Sequence, residues 1–490
     1  MNVGIRAAPL PETFGPSFPP AGIHLLFVLH RPQFPRKNGQ LLPTDEIFSH
    51  IVTTDALLSA TGDRAWLTAL LDAEAALARA EARVGVIPAA AAEDITAACR
   101  SGRFDLERLG RDARAGGNPV IPLVQQLGDA AGPAAREWVH WGATSQDILD
   151  TAAVLIARRA GALVAADLAR LADGCAGLAA GHRRSVMAAR TLLQPALPTT
   201  FGLKAAGWLV GVTGCRSALE AALASLAVQL GGAAGTLASL GRSGPAVLSA
   251  FAAELDMPEP VVPWHSARQP MATLAGALGL SAGTAAKISG DVALLMQSEV
   301  GEAFEPAAPG RGGSSTLPHK RNPVGAAAVG AAARRATALV GLFYEALAGE
   351  HERHLVSWPV EWQTLGELLA LAGGAVARTA ETVNGLEVDT TAMAERVRGL
   401  AGALLAERVS LALAGRLGRS EAKRAVADAG RAATDTTADA FVAALLANRR
   451  VAEVIDRAEL DELLEPAGYL GSNDTWIDRA LGHHSGPADG

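Results

Sequence analysis

Aromatic residues are scarce in this sequence: they make up 4% of its 490 residues and include only two tyrosines. The apolar fraction is nevertheless 49%, and much of it is alanine, which has the highest helix propensity of all residues. The alternation of apolar and polar residues that is typical of a half-buried β-strand is also missing. These absences argue against a β-rich protein, and we predict an all-α fold large enough for two or three domains.

Cysteine and positive charge are scarce as well. The three cysteines, Cys99, Cys175 and Cys215, cannot all pair, and their wide spacing fits no zinc motif. We therefore expect reduced, structural cysteines and a cytoplasmic protein. The net charge of -7 provides no basic patch for a nucleic acid.

No stretch has the features of a convincing membrane span or signal peptide. The longest uncharged run, residues 221–241, is rich in Gly, Ala and Ser, so a helix end followed by a loop explains it better. Residues 1–43 hold eight of the 26 prolines, and their apolar patch at 23–29 is too short and too late for a signal peptide. We predict that residues 1–43 are poorly ordered or extend upstream of the fold.

Long helical patterns dominate the rest of the chain. Apolar residues recur at helical spacing from Asp63 until Gly85, which is expected to end that helix. Predicted helices that start near residues 147, 201, 271, 324 and 361 each approach or exceed twenty residues, and several are apolar on nearly every face. Such helices are typical of a buried bundle or an oligomer core. We predict three helical domains, residues 44–133, 134–387 and 388–490, with the long-helix bundle in the central one.

Three polar segments, rich in hydroxyl groups, interrupt these apolar helices: residues 138–150, 189–202 and 310–323. In the first, Thr144 or Ser145 can cap a helix that runs to about Gly181. The free N–H groups of a helix start suit a carboxylate, although an ordinary N-cap is the simpler interpretation and both can hold.

The third polar segment combines backbone freedom with positive charge. Its three glycines are followed by two serines and then by Lys320 and Arg321, and Pro323 opens a long apolar helix. This composition suits a lid that closes over an anionic substrate. Composition alone favours the alternative, a solvated surface loop.

The order of residues in that segment is more specific than its composition. Gly313-Ser-Ser-Thr-Leu-Pro-His-Lys-Arg-Asn-Pro323 resembles the signature of the fumarase/aspartase superfamily. Further stretches, at 71–81, 139–147, 201–207, 304–310 and 350–353, extend the resemblance to the cycloisomerases of this superfamily, from about residue 46 to 484. Arg353 and Trp358 also match positions of those enzymes, with no role assigned.

The resemblance implies a reversible elimination or addition beside a carboxylate, in active sites formed where three subunits of a homotetramer meet. For the cycloisomerases it implies that one carboxylate of a tricarboxylate adds across a double bond to form a lactone. Ser314 is implied as the proton-transfer group and Lys320 as a holder of the substrate carboxylate, and His140 is implied as a proton-relay or binding residue. No metal or organic cofactor is implied. The expected substrate-binding residues are Thr144, Ser145, Gln146, Gln194, Thr199, Ser315, His319, Arg321 and Asn322.

One residue departs from the superfamily pattern. Many relatives, adenylosuccinate lyase among them, carry an acid/base histidine in the second polar segment, and this chain has Leu192 there. A leucine cannot move a proton, which suits a reaction whose leaving group is a carboxylate. Two alternatives stay open: a C–N lyase of the adenylosuccinate lyase type, and a helical oligomer without activity. His351 and His354 superficially suggest a metal site, but no third ligand is in register.

Overall fold

The structure is a computed structural model that describes residues 45–313, 316–317 and 319–486. In these ranges the chain forms twenty α-helices, four short strands and three 3-10 helices. The α-helices are α1 Asp45–Val52, α2 Asp55–Thr61, α3 Asp63–Val84, α4 Ala89–Ser101, α5 Leu106–Gly116, α6 Val120–Ala131, α7 Pro133–Arg136, α8 Ser145–Gly181, α9 Phe201–Ala224, α10 Gly244–Glu254, α11 Gln269–Leu295, α12 Val324–Glu345, α13 Ser357–Asn384, α14 Thr390–Leu404, α15 Ala406–Leu417, α16 Arg419–Ala432, α17 Ala438–Leu446, α18 Arg449–Ala452, α19 Arg457–Leu463 and α20 Asn473–Ser485. The predicted all-α class is confirmed, whereas the prediction for residues 1–43 lies outside the described residues.

The centre of the fold is a bundle of five long helices. Helix α8 packs on α9 and α13, and α11 packs on α9, α12 and α13. Residues 146–157 of helix α8 are all buried, and α3 packs against this helix as well. The predicted starts agree with the structure to within a few residues.

The length of these helices separates the two ends of the bundle. At 1.5 Å per residue, the 37 residues of α8 extend about 54 Å. The 28 residues of α13 extend about 40 Å in the same way. Segments that precede and follow one of these helices therefore lie far apart.

The sequence predicts only helices, but the structure also contains two antiparallel strand pairs. The pair β1 Val186–Thr191 and β2 Gln194–Thr200 forms a hairpin, and β3 Ala303–Phe304 pairs with β4 Glu387–Val388. The hairpin register shifts between Ala188 and Arg190. That irregularity and the prolines of β2 interrupt the two-residue period by which a strand is recognised in sequence.

The described residues hold two hydrophobic clusters. The larger runs through the five-helix bundle and α3. The smaller is formed by residues of α14 to α19 together with Ala188 of β1, and it anchors the root of the hairpin. The division into three domains at residues 133 and 387 stays a prediction.

Helix α12 with its following turn, Val324–Ala348, is the one helix of the described ranges that is long and apolar enough to cross a membrane. Core helices of soluble proteins satisfy the same criteria. This helix packs against α11 and α13 within the bundle.

Candidate active site

The first polar segment is organised by one carboxylate at the start of α8. Thr144 caps this helix, and its backbone N–H donates to Asp147 Oδ2 at 2.9 Å. The same carboxylate accepts from the N–H groups of Gly231 and Gly232, at 2.8 and 2.9 Å, and lies 2.7 Å from His265 Nε2. A Cβ at Gly231 would lie 2.8 Å from the His265 ring, so only glycine fits there. Asp147 therefore fixes the helix start against the Gly-rich loop.

A buried ionic network lies beneath this helix start. Arg268 is 1% exposed, yet its guanidinium contacts two carboxylates, Asp150 at 2.8 and 3.2 Å and Glu361 at 3.0 Å. Burial lowers the pKa of Arg268, but the two carboxylates outweigh burial and raise it, so the guanidinium stays charged. Trp358 completes the network by donating its indole N–H to Asp150 at 3.0 Å. Sequence reasoning missed Arg268 because its partners are distant in the chain.

Gln146, predicted to bind substrate, belongs to this network. Its side chain is fully buried, and its amide nitrogen donates to Asp150 at 3.1 Å and to the His265 carbonyl at 2.9 Å. Its Oε1 has no partner among the described residues. Contact of Gln146 with substrate stays a prediction, whereas Thr144 and Ser145 lie nearer the surface, partly exposed.

His140 is held in position by a residue that sequence reasoning missed. Its Nδ1 lies 2.7 Å from Oε1 of Glu74, a carboxylate of α3 that is 1% exposed. Burial lowers the pKa of His140, but the charge and hydrogen bond of Glu74 and the charge of Asp147 outweigh it and raise the pKa. Among the described residues nothing bonds to Nε2, the other ring nitrogen, so this nitrogen can form a hydrogen bond with a substrate.

The backbone at His140 supports this assignment. Its φ of 61° is in the left-handed region, which non-glycine residues rarely adopt. Such strain persists where the surrounding structure enforces it, often at functional sites. Glu74 lies in the stretch 71–81, which carries part of the superfamily resemblance. No other feature of the sequence marked Glu74 as a candidate site residue.

Glu81 lies two turns further along the same face of α3. It is fully buried, and neither carboxyl oxygen has a partner in the described ranges. Burial, assisted by the charge of Glu74, raises the pKa of Glu81 to about 9. Glu81 is therefore neutral at pH 7, and Glu74 is the carboxylate that carries the charge beside His140.

The second polar segment is the hairpin of β1 and β2. Close to its tip, Arg190 donates to both oxygens of the buried Glu302 at 2.7 and 2.8 Å. Its two-residue tip consists of Leu192 and Leu193, which are 97% and 69% exposed and have φ values of 50° and 66°. Of the predicted binding residues, Gln194 is exposed beside this tip and Thr199 is half-buried nearer the root.

The third polar segment is a loop closed at its base. Asn322 donates both its backbone and its side-chain N–H to the Gly312 carbonyl, at 2.9 and 3.0 Å. Arg321 donates to Glu387 at 3.0 Å and to the Glu305 carbonyl at 2.9 Å. Both predicted binding residues thus make contacts within the chain, and their contact with substrate stays a prediction.

The remaining predicted site residues of this loop are either exposed or outside the described residues. Lys320 and His319 are exposed. Ser314 and Ser315 lie outside the described residues, so the proposed proton-transfer serine is not placed. The backbone N–H groups of Gly325 and Ala326, in the first turn of α12, donate to the Glu305 carboxylate at 3.0 and 2.7 Å. These donors at the start of α12 therefore bind Glu305 and are not available to a substrate.

One chain does not bring the three segments together. The first segment contacts Trp358 at the start of α13, whereas Arg311 of the third pairs with Glu381 near its end, at 2.6 Å. These two positions are 23 residues apart, or about 35 Å along a helix. The first and second segments lie beyond opposite ends of α8. A site that uses all three segments needs further copies of the chain.

Among the described residues, no group of three or more His, Cys, Asp or Glu side chains is placed to hold a metal ion. His354 is 2% exposed, and neither of its ring nitrogens has a partner there. Burial and the nearby Arg268 charge lower the pKa of His354. The expectation that neither metal nor cofactor is used stays a prediction.

Comparison with known proteins agrees with this architecture. Residues 49–338 match the family model described as lyase, and residues 402–480 match that of the adenylosuccinate lyase C-terminus. The chain is 45% identical over 447 residues to 3-carboxy-cis,cis-muconate cycloisomerase of Pseudomonas aeruginosa, covering 90% of this chain and 97% of that protein. It is 43% identical over 435 residues to nitrosuccinate lyase of Streptomyces davaonensis, covering 86% and 92%.

A solved structure extends the similarity to three dimensions. The crystal structure of 3-carboxy-cis,cis-muconate lactonizing enzyme from Pseudomonas putida superposes with a TM-score of 0.83 at 40% identity. The superposition covers 90% of this chain and 99% of that one. The matched family model, the full-length similarity and the helical bundle agree: the chain belongs to the lyase family of the fumarase/aspartase superfamily.

Proposed function

We propose that this protein is a 3-carboxy-cis,cis-muconate cycloisomerase that forms 4-carboxymuconolactone reversibly, in the protocatechuate branch of aromatic degradation. The observation that carries the proposal is 45% identity to such an enzyme across 97% of that enzyme's length. The exposed Leu192 at the hairpin tip also supports it, because this residue cannot donate a proton to a leaving group.

The reaction requires one new bond and one proton transfer. A carboxylate oxygen of the substrate adds to one carbon of a double bond, and the other carbon, alpha to a second carboxylate, receives a proton. The intermediate places a second negative charge on that carboxylate, so preorganised donors and cations must surround it. Lactone opening is the same sequence in reverse and releases a carboxylate, which needs no proton.

The residues of the first polar segment suit this charge distribution. His140, whose pKa is raised by Glu74, turns Nε2 towards a substrate carboxylate or relays a proton. Thr144 and Ser145 offer hydroxyl groups at the start of α8. We assign proton transfer at carbon to Ser314 and binding of a substrate carboxylate to Lys320, with the other predicted binding residues around them.

We further propose a cytoplasmic homotetramer whose sites are shared between subunits. The separation of the polar segments by about 35 Å within one chain supports shared sites. The long apolar helices of the bundle suit a tetramer core, because their exposed positions can pack against other copies.

The test is turnover of 3-carboxy-cis,cis-muconate, followed by loss of the absorbance of its conjugated diene. We expect turnover by the purified wild-type tetramer and none by Ser314→Ala at unchanged assembly. A well-folded tetramer that leaves the absorbance unchanged would refute the assigned activity. Near-normal activity of Ser314→Ala would remove only the serine from the mechanism.

A second candidate is elimination from a substituted succinate, which the similarity to nitrosuccinate lyase supports. Elimination of the nitro group leaves an unsaturated dicarboxylate, which can be quantified chromatographically. We expect kcat/KM for nitrosuccinate to be far below that for the muconate. The reverse order would favour the lyase assignment.

A further inference from the structure

Arg353 is an exposed cation that contacts the first polar segment from a distant part of the chain. Its guanidinium donates to Thr144 Oγ1 at 2.9 Å and to the Ala233 carbonyl at 3.2 Å. It therefore stands where the start of α8 meets the Gly-rich loop that Asp147 holds in place.

Both of these hydrogen bonds use one nitrogen, Nη2. The described residues provide no partner for Nη1 or Nε, and no carboxylate of the described ranges lies within ion-pair distance of this guanidinium. Arg268, by contrast, is saturated by Asp150 and Glu361. The N–H groups of Nη1 and Nε therefore remain free to donate single, charge-assisted hydrogen bonds to a carboxylate.

The loop that carries Arg353 is built to hold it in place. The buried His354 ring fills the space over Gly349, where an added Cβ would lie 1.9 Å from its Nδ1. Glu350 accepts the N–H of Leu355 at 3.3 Å, and His351 has a strained φ of 52°. A tight, locally bonded loop limits the conformational entropy that binding must remove.

The surroundings of Arg353 favour an anion. Thr144 and Ser145 present hydroxyl groups at the N-terminus of a 37-residue helix. In the same segment, Glu74 raises the pKa of His140 despite its burial, which favours the protonated ring. The Asp147 carboxylate is already satisfied by two backbone N–H groups of the Gly-rich loop and by His265. Among the described residues it forms no ion pair with Arg353.

We propose that Arg353 binds the carboxylate that distinguishes a tricarboxylate substrate from a dicarboxylate, and is thus a specificity-determining residue of this site. The inference rests on the proposed function, because it assumes a substrate with three carboxylates. If Arg353 only linked Thr144 to Ala233, it would not discriminate between two acids that differ by one carboxylate.

The test uses binding of two inert acids, tricarballylate with three carboxylates and glutarate with two, measured by calorimetry on the full-length protein. We expect the wild type to bind tricarballylate at least about tenfold more tightly. Arg353→Gln should reduce this preference to near unity, and Arg353→Lys should retain part of it. The control is Arg449→Gln, an exposed arginine in the C-terminal part of the chain, which should keep the full preference.

Two results would overturn the proposal: equal wild-type affinity for both acids, or an unchanged preference in Arg353→Gln. A purely structural role predicts the second result, with both affinities falling together. Because binding is measured without turnover, failure of the muconate assay would refute the activity while leaving this test interpretable.

Discussion

At the scale of single residues, the protonation of His140 depends on which of two buried carboxylates is charged. Glu74 contacts the ring at 2.7 Å, whereas Glu81, on the same face of α3, has a pKa raised to about 9 and is neutral at pH 7. One helix therefore supplies the carboxyl group that bonds to His140 and a second carboxyl group that is protonated at pH 7. Glu74 is the group that favours the protonated form of His140.

This assignment predicts the pH profile of catalysis. Glu74→Gln should lower the pKa of His140, because it removes the negative charge that outweighs burial. The alkaline limb of kcat/KM, which reports the free enzyme, should therefore move to lower pH by about one unit or more. The matched control is Glu81→Gln, which should leave that limb in place. The same limb in wild type and Glu74→Gln would show that His140 does not control it.

Glu81 itself predicts a pH dependence of stability. Its folded pKa of about 9 lies above its ordinary value of 4.5, so the folded state binds the extra proton between these values. Stability should fall as pH rises from 4.5, by about 3 kcal/mol from this group at pH 7. Glu81→Gln should remove that loss, so denaturant unfolding should find the variant's advantage growing with pH. A constant difference between pH 5 and 8 would contradict the assignment.

At the scale of elements, the tip of the β1–β2 hairpin combines strain with exposure. Two-residue hairpin turns with positive φ at both central positions favour Asn-Gly, because leucine there costs roughly 1 kcal/mol or more. Two exposed leucines in such a turn are stabilised by nothing in the chain described here. This arrangement suits a tip that contacts substrate in a site completed by another copy.

Replacing Leu192-Leu193 with Asn-Gly should therefore separate stability from activity. The hairpin should become more stable, so the Tm should stay the same or rise, while kcat/KM should fall by at least about tenfold as the apolar tip is lost. Thermal unfolding and steady-state kinetics on the same preparation measure both effects. Full activity in the double variant would exclude the tip from the site.

At the scale of the whole molecule, the long helices that build the core also hold the first and third polar segments far apart. The residues around His140 lie near the start of α13, and the loop of Lys320 lies near its end. A rigid helix of 28 residues cannot bring its ends together. Catalysis by all three segments thus requires oligomerisation.

Mixing two inactive variants tests this requirement. His140→Asn and Ser314→Ala should each be inactive alone, whereas refolding equal amounts together should restore about a quarter of wild-type activity if the two residues come from different subunits. Activity of the refolded mixture against each variant alone is the measurement. Mixed tetramers without recovered activity would place both residues of a site on one subunit, and activity of either variant alone would remove that residue from the mechanism.

The sequence by itself determined the long helices, a cap at Thr144 or Ser145 and membership of the superfamily, because helical periodicity, capping residues and a contiguous motif are local properties of the chain. The β1–β2 hairpin escaped detection, since its register shift and prolines disrupt the local pattern. Only the tertiary structure decided that Glu74 contacts His140 and that Arg353 contacts Thr144. These pairs are 66 and 209 residues apart in the chain, and such contacts depend on how the helices pack.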